Sequence, residues 1–137
     1  MADISTRMQR ILENAISVAE ESNCQVKMGA IVFRSGKILG RACNKKGYRG
    51  RSIHAEVNAC RELRYQKRTP KGTEILVARE RPSGGWGNAK PCATCIEWMR
   101  LVGVRRVWWT TVEQTLECAT LSSVENQEYI PCDRHYS

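Results

Sequence analysis

His54-Ala55-Glu56, followed downstream by Pro91-Cys92-Ala93-Thr94-Cys95, decides how this chain is read. One imidazole and two thiols are three good zinc ligands, and the carboxylate two positions from the histidine is free for another task. A closed structural zinc site uses four protein ligands, whereas a catalytic one keeps a position open for water. The set here is three ligands plus a proton carrier. His54, Cys92 and Cys95 are therefore the expected ligands of one Zn2+ per chain, and Glu56 is the expected general acid and base. A lone C-x-x-C would say little; the ordered combination is specific.

The segments around these motifs suggest where they sit. Met8, Ile11, Leu12, Ala15, Val18 and Ala19 recur at helical spacing, which predicts an amphipathic helix from Ile4 to about Glu21 with Asp3 as its cap. Ala30 to Phe33, the turn Ser35-Gly36, and Lys37 to Gly40 read as a β-hairpin. A second helix should begin near His54 and stop at Thr69-Pro70-Lys71-Gly72. Thr73 to Ala78 suits a central strand. Arg81 to Asn88 has turn chemistry throughout and is expected to be a loop. Pro91 can occupy the first turn of a third helix, which Gly103 ends. Val104 to Thr110 is another buried strand. Leu116 to Leu121 reads as a strand, with a helix as the competing assignment. As a strand it must pair antiparallel with its predecessor, because the connection is too short for a parallel crossover.

This alternation implies an α/β structure with helices on both faces of a mixed sheet. Each zinc motif then falls at a helix N-terminus. Unpaired amides and the positive end of the helix dipole lie beside two sulfurs that must be thiolates to bind zinc.

At 137 residues one domain spanning 1–137 is expected, and the 42% hydrophobic and 26% charged content is that of a globular protein. No stretch approaches the ~18 apolar residues of a membrane span. The amino terminus MADISTRMQR lacks an apolar signal core, which reads as an intracellular protein. Seven cysteines lack the dense even spacing of a disulfide scaffold, so those outside the zinc set are expected to be small buried hydrophobes or bystander thiols. The net charge of +8 favours anionic partners, and the excess is local. Lys45, Lys46, Arg49 and Arg51 lead into the His-x-Glu motif, and Arg61, Arg64, Lys67, Arg68 and Lys71 follow it.

On these residues the chain resembles the cytidine deaminase superfamily, for which H-x-E with P-C-x-x-C is a known signature. The resemblance runs from about Cys24 to Thr111. It includes Met28-Gly29-Ala30-Ile31-Val32, Gly36 to Gly40 and Asn44. It implies a three-layer α/β/α fold around a five-stranded mixed sheet, here with the last two strands as an antiparallel hairpin. It also implies hydrolytic deamination, with Asn44 on the substrate sugar and the Ala55 backbone on a pyrimidine carbonyl. The His-x-Glu form is closer to the nucleotide and polynucleotide branches than to free-nucleoside enzymes. Lys90 stands before Pro91, where tRNA adenosine deaminases typically carry glutamate.

The expected substrate is cytosine in single-stranded DNA or RNA, with Arg49 and Arg51 on phosphate and Tyr48 and Trp86 as stacking platforms in loops near the metal. A cytidine nucleotide and adenosine in tRNA are the alternatives. From other classes come a zinc ribbon using Cys92, Cys95, Cys132 and His135, which leaves His54 and Glu56 unexplained, and an inactive binding module, which has no need of Glu56. Trp98, Trp108 and Trp109 are expected in the core.

Overall fold

A computed structural model describes residues 5–46, 52–65, 71–121 and 130–131. Helix α1 (Thr6–Ala19) buries the six apolar residues its periodicity singled out, and it is capped by Ser5, whose Oγ accepts the Met8 N–H at 3.2 Å. Asp3, the expected cap, lies outside the described residues. Ser5 stands directly before the first helical residue in the β region, the position from which a hydroxyl reaches the third amide.

Strands β1 (Lys27–Arg34) and β2 (Lys37–Cys43) form the expected hairpin, followed by a two-residue ladder of β3 (Lys45–Lys46) with β4 (Ser52–Ile53). Helix α2 (Ala55–Tyr65), strand β5 (Glu74–Glu80), the short β6 (Trp86–Gly87), helix α3 (Ala93–Val102), β7 (Arg106–Thr110), β8 (Leu116–Thr120) and β9 (Ile130–Pro131) complete the order. The main sheet runs β2-β1-β5-β7-β8-β9, with β6 pairing β5. Five strands are long, as expected, and the two-residue β6 and β9 extend them. Among the described residues only β5 and β7 pair in parallel, joined through α3, and β7 and β8 form an antiparallel hairpin. Leu116 to Thr120 is thus a strand and not a helix.

Alternation along the strands sorts the core into two layers. Ile31, Phe33, Leu76, Ala78, Trp108 and Cys118 face α1, whereas Ala30, Val32, Ile75, Val77, Val107 and Trp109 face α2 and α3. Trp108 and Trp109 are both buried, one on each side, and Trp98 packs half-buried on the α2/α3 side. Trp108 also donates from Nε1 to Glu74 Oε1 at 2.8 Å. Cys43, Cys60 and Cys118 are buried as small hydrophobes, and burial pushes the Cys43 thiol up from its ordinary range.

The α1 layer sits so close that β1 needs a glycine. A Cβ on Gly29 would lie 2.2 Å from the Ala15 carbonyl oxygen and 2.7 Å from the Ala19 nitrogen, both backbone atoms that cannot swing aside. Gly29→Ala should therefore force α1 off the sheet and cost about 3 kcal/mol, a fall in Tm of roughly 10 °C. Gly40→Ala, where a Cβ meets nothing within 4 Å, should leave the melting curve nearly unchanged. Thermal unfolding of the two variants checks the close approach.

Candidate metal centre and active site

Three polar anchors set the N-terminus of α2. Asn44 is buried, its Oδ1 accepting the Met28 N–H at 2.9 Å and its Nδ2 donating to Val26 O at 2.7 Å, which ties the start of β1 to the end of β2. Ser22 Oγ donates to Asn44 O at 2.9 Å. Asn58 Nδ2 donates to Cys43 O at 2.8 Å, fastening the first turn of α2 to the same strand end. His54 is the residue before the helix, and its carbonyl accepts the Asn58 N–H at 3.0 Å. Ala55, fully buried, is the first helical residue, so its N–H has no partner inside the helix. Glu56 follows in the first turn.

The second motif is set from the other side of β5. The expected loop at Arg81 to Asn88 is instead a tight hairpin: Gly84 and Gly85 take φ of 90° and 79°, and β6 returns with Glu80 opposite Trp86 and Arg79 opposite Gly87. Two consecutive left-handed residues reverse the chain at little cost only as glycines. Buried Thr110, where β7 ends, joins the two strands through its hydroxyl, which accepts the Arg79 N–H at 3.1 Å and donates to Gly87 O at 2.8 Å. Its carbonyl then accepts the Ala89 N–H at 2.9 Å, pinning the segment that runs into Pro91 and Cys92. Pro91 precedes the helix and does not occupy its first turn. Cys92 is the N-cap of α3, exposed, with no capping bond from its side chain, and Gly103 closes the helix in the left-handed conformation.

These two helix starts bring His54, Cys92 and Cys95 together, their ligand atoms all within 4.8 Å of one another. His54 Nδ1 lies 3.2 Å from Cys95 Sγ and 3.7 Å from Cys92 Sγ, and the two sulfurs are 3.4 Å apart. A tetrahedral zinc with bonds of about 2.3 Å to sulfur and about 2.0 Å to nitrogen spaces its ligand atoms by about 3.6 to 3.8 Å. The triangle fits one Zn2+ with only small adjustment. Its surroundings are asymmetric, since Cys95 is fully buried while His54 and Cys92 are exposed, so one side of the cluster faces solvent.

Of the expected substrate contacts, Tyr48, Arg49 and Arg51 lie outside the described residues, as do Cys132 and His135 of the ribbon alternative. Trp86 is described and is not beside the metal. It packs against the α1-side cluster, across the sheet from Cys95. Its backbone is held at both ends by Gln114, whose Oε1 accepts the Trp86 N–H at 3.0 Å and whose Nε2 donates to its carbonyl at 3.1 Å. Trp86 is an anchor of the β6 hairpin and not a platform at the site. Asn44, expected on the substrate sugar, is buried and uses its oxygen and one amide hydrogen on the backbone. Asn58 and Thr110, which position the two ligand segments, carried no signal in the motif reading. A polar Asn between Val57 and Ala59 in a helix was the one available hint.

No curated protein matches this chain. Among solved structures it is similar in fold to a cytidine deaminase from Burkholderia pseudomallei, with a TM-score of 0.68, 20% identity, and coverage of 86% of this chain and 94% of that one. It is also similar to the dCMP deaminase of cyanophage S-TIM5, with a TM-score of 0.62, 22% identity, and coverage of 79% and 86%. The model of the cytidine and deoxycytidylate deaminase zinc-binding region matches residues 5–111, which hold both motifs and every strand that positions them, and the chain belongs to that family.

Proposed function

We propose that the protein hydrolyses the exocyclic amine of cytosine to give uracil and ammonia, and that its preferred substrate is cytosine in a single-stranded polynucleotide. The observation that carries the chemistry is the cluster of three ligand atoms, two of its residues exposed: it offers a zinc ion three protein ligands and leaves the fourth position for water. Zinc, when bound there by His54, Cys92 and Cys95, supplies a Lewis acid that makes water nucleophilic near neutral pH. Glu56 takes a proton from the attacking water and delivers it to the ring nitrogen. The water oxygen bonds to C4 as the C4=N3 double bond becomes single; Glu56 then relays the remaining hydroxyl proton to the exocyclic amine, and the exocyclic C4–N bond breaks as C4=O forms and ammonia leaves. The Ala55 N–H, which has no partner inside the helix, would hold the pyrimidine carbonyl.

The distribution of charge favours a polymer. A mononucleotide needs one or two cations, yet Lys45, Lys46, Arg49 and Arg51 precede the histidine and five more cations follow between Arg61 and Lys71. A single strand avoids the few kcal/mol needed to flip a base out of a duplex. A second reading, a (deoxy)cytidine nucleotide, is favoured by the fold likeness to the cyanophage dCMP deaminase.

The two separate when the pure enzyme is offered dCMP, cytidine, a cytosine-containing single-stranded DNA and the matching RNA, with the best substrate repeated at raised salt. Oligonucleotide deamination should dominate and its KM should rise steeply with salt, as counterion release loses its advantage. Rapid, salt-insensitive conversion of dCMP with no action on either oligonucleotide would decide for the nucleotide.

A further inference from the structure

A cavity of about 390 Å³ lies between the end of α1, the end of β2 and the middle of α2. Its walls carry Arg41, Lys45 and Arg61, with Glu21, Asn58 and Cys43 between them. That volume lies within the range of small-ligand pockets. The three cations come from β2, β3 and α2, and two of them belong to different basic stretches of the sequence that only the fold unites. All three are exposed, and none makes an ion pair or side-chain hydrogen bond among the described residues. Glu21 is the one acid among the described residues of the wall and makes no ion pair among them, so those residues carry an excess of two positive charges. Three exposed cations around one cavity make a positive patch that raises the local concentration of anions. The two guanidinium groups are suited to bidentate contact with phosphate oxygens.

The cavity is tied to the cluster by the backbone. Lys45 pairs with Ile53, the residue before His54. His54, Asn58 and Arg61 follow at i, i+4 and i+7, so they share one face of α2. At 1.5 Å per residue, Arg61 stands about 10 Å along the axis from His54. Two or three nucleotides span about that distance at the stacked rise of roughly 3.4 Å. The site is therefore a neighbour of the reaction centre and not part of it.

We infer that the Arg41/Lys45/Arg61 cavity is a phosphate-binding site that grips the backbone of a single-stranded polynucleotide a few nucleotides from the reacting base. The inference rests on the polynucleotide reading of the metal site, and its test is made on binding so that the two can fail separately.

A fluorescent single-stranded oligonucleotide containing one cytosine is titrated with the zinc-loaded full chain and with its R41Q/K45Q/R61Q variant across a series of salt concentrations. Zinc content and Tm of the variant establish that it is folded. The variant should bind at least tenfold more weakly at low salt. The slope of log K against log salt should shrink by about 2, at about 0.7 for each lost phosphate contact on a single strand. The same strand made abasic should show the same loss, because phosphate and not base is gripped. An unchanged slope and affinity would overturn the site even if the oligonucleotide is deaminated. A reduced slope with no deamination of any oligonucleotide would keep the site and remove the polynucleotide as substrate. Displacement by polyglutamate of equal charge as readily as by the abasic strand would overturn the phosphate assignment.

Discussion

Glu56→Ala should lower turnover of the best cytosine substrate by a factor of about 10² to 10⁴, the range that one positioned proton carrier contributes, with one zinc per chain retained. The two readouts separate because of where the residue stands. Glu56 is in the first turn of α2, two residues from His54, and the cluster of His54 Nδ1 with the sulfurs of Cys92 and Cys95 already supplies three zinc ligands. Removing its carboxylate takes away the group that accepts a proton from water and returns it to the leaving amine, while every metal ligand remains. Glu56→Gln keeps the side-chain shape and should be as impaired, which assigns the loss to proton transfer. Steady-state kinetics paired with metal analysis make the measurement. Normal turnover by either variant would show the assigned mechanism to be wrong.

Cys92→Ala should lose the zinc and, with it, thermal stability, falling to the Tm of the chelator-treated wild type. Cys92 suits this test better than Cys95. Its sulfur is exposed and caps nothing, so truncation opens no cavity and breaks no helix cap. What disappears is a metal ligand. Metal bound only by the folded state stabilises by about 2.7 kcal/mol at a free concentration of 100 Kd, or roughly 10 °C of Tm for a chain of this size. Acidification should release the metal from the wild type, since protons compete with zinc for the same sulfurs. Elemental analysis with calorimetry reads both effects. Cys132→Ala should keep its single zinc; two zincs in the wild type, or loss of zinc in Cys132→Ala, would restore the ribbon alternative.

The parts legible in the sequence were those with local causes. The α1 pattern placed six buried residues correctly because helical period and burial coincide on one stripe. Once Leu116 to Leu121 is taken as a strand, its antiparallel pairing with β7 followed from a connection too short for a parallel crossover, whereas strand over helix was decided by the fold. The ligand set was legible because histidine and cysteine at these spacings have few competing uses. Trp86 was misread because turn residues around it concealed a two-residue strand, which exists only through its partner on β5. In the same way Ser5 took the capping role expected of Asp3.

What tertiary structure alone decided is the position of the ligands relative to one another. His54 and Cys95 are 41 residues apart, and nothing in either motif states that their atoms lie 3.2 Å from each other. That distance is set by Asn58 on Cys43, Asn44 between Val26 and Met28, and Thr110 between Arg79 and Gly87, with the parallel β5–β7 pair beneath them. Each of these side-chain hydrogen bonds joins residues 15 to 31 positions apart, and no periodicity within a single element can encode it. The same holds for Arg41, Lys45 and Arg61, whose charges can be counted in the sequence but whose shared cavity depends on how β2 and α2 meet. Residue chemistry determined which reaction the chain is equipped for; long-range packing determined where its groups stand to perform it.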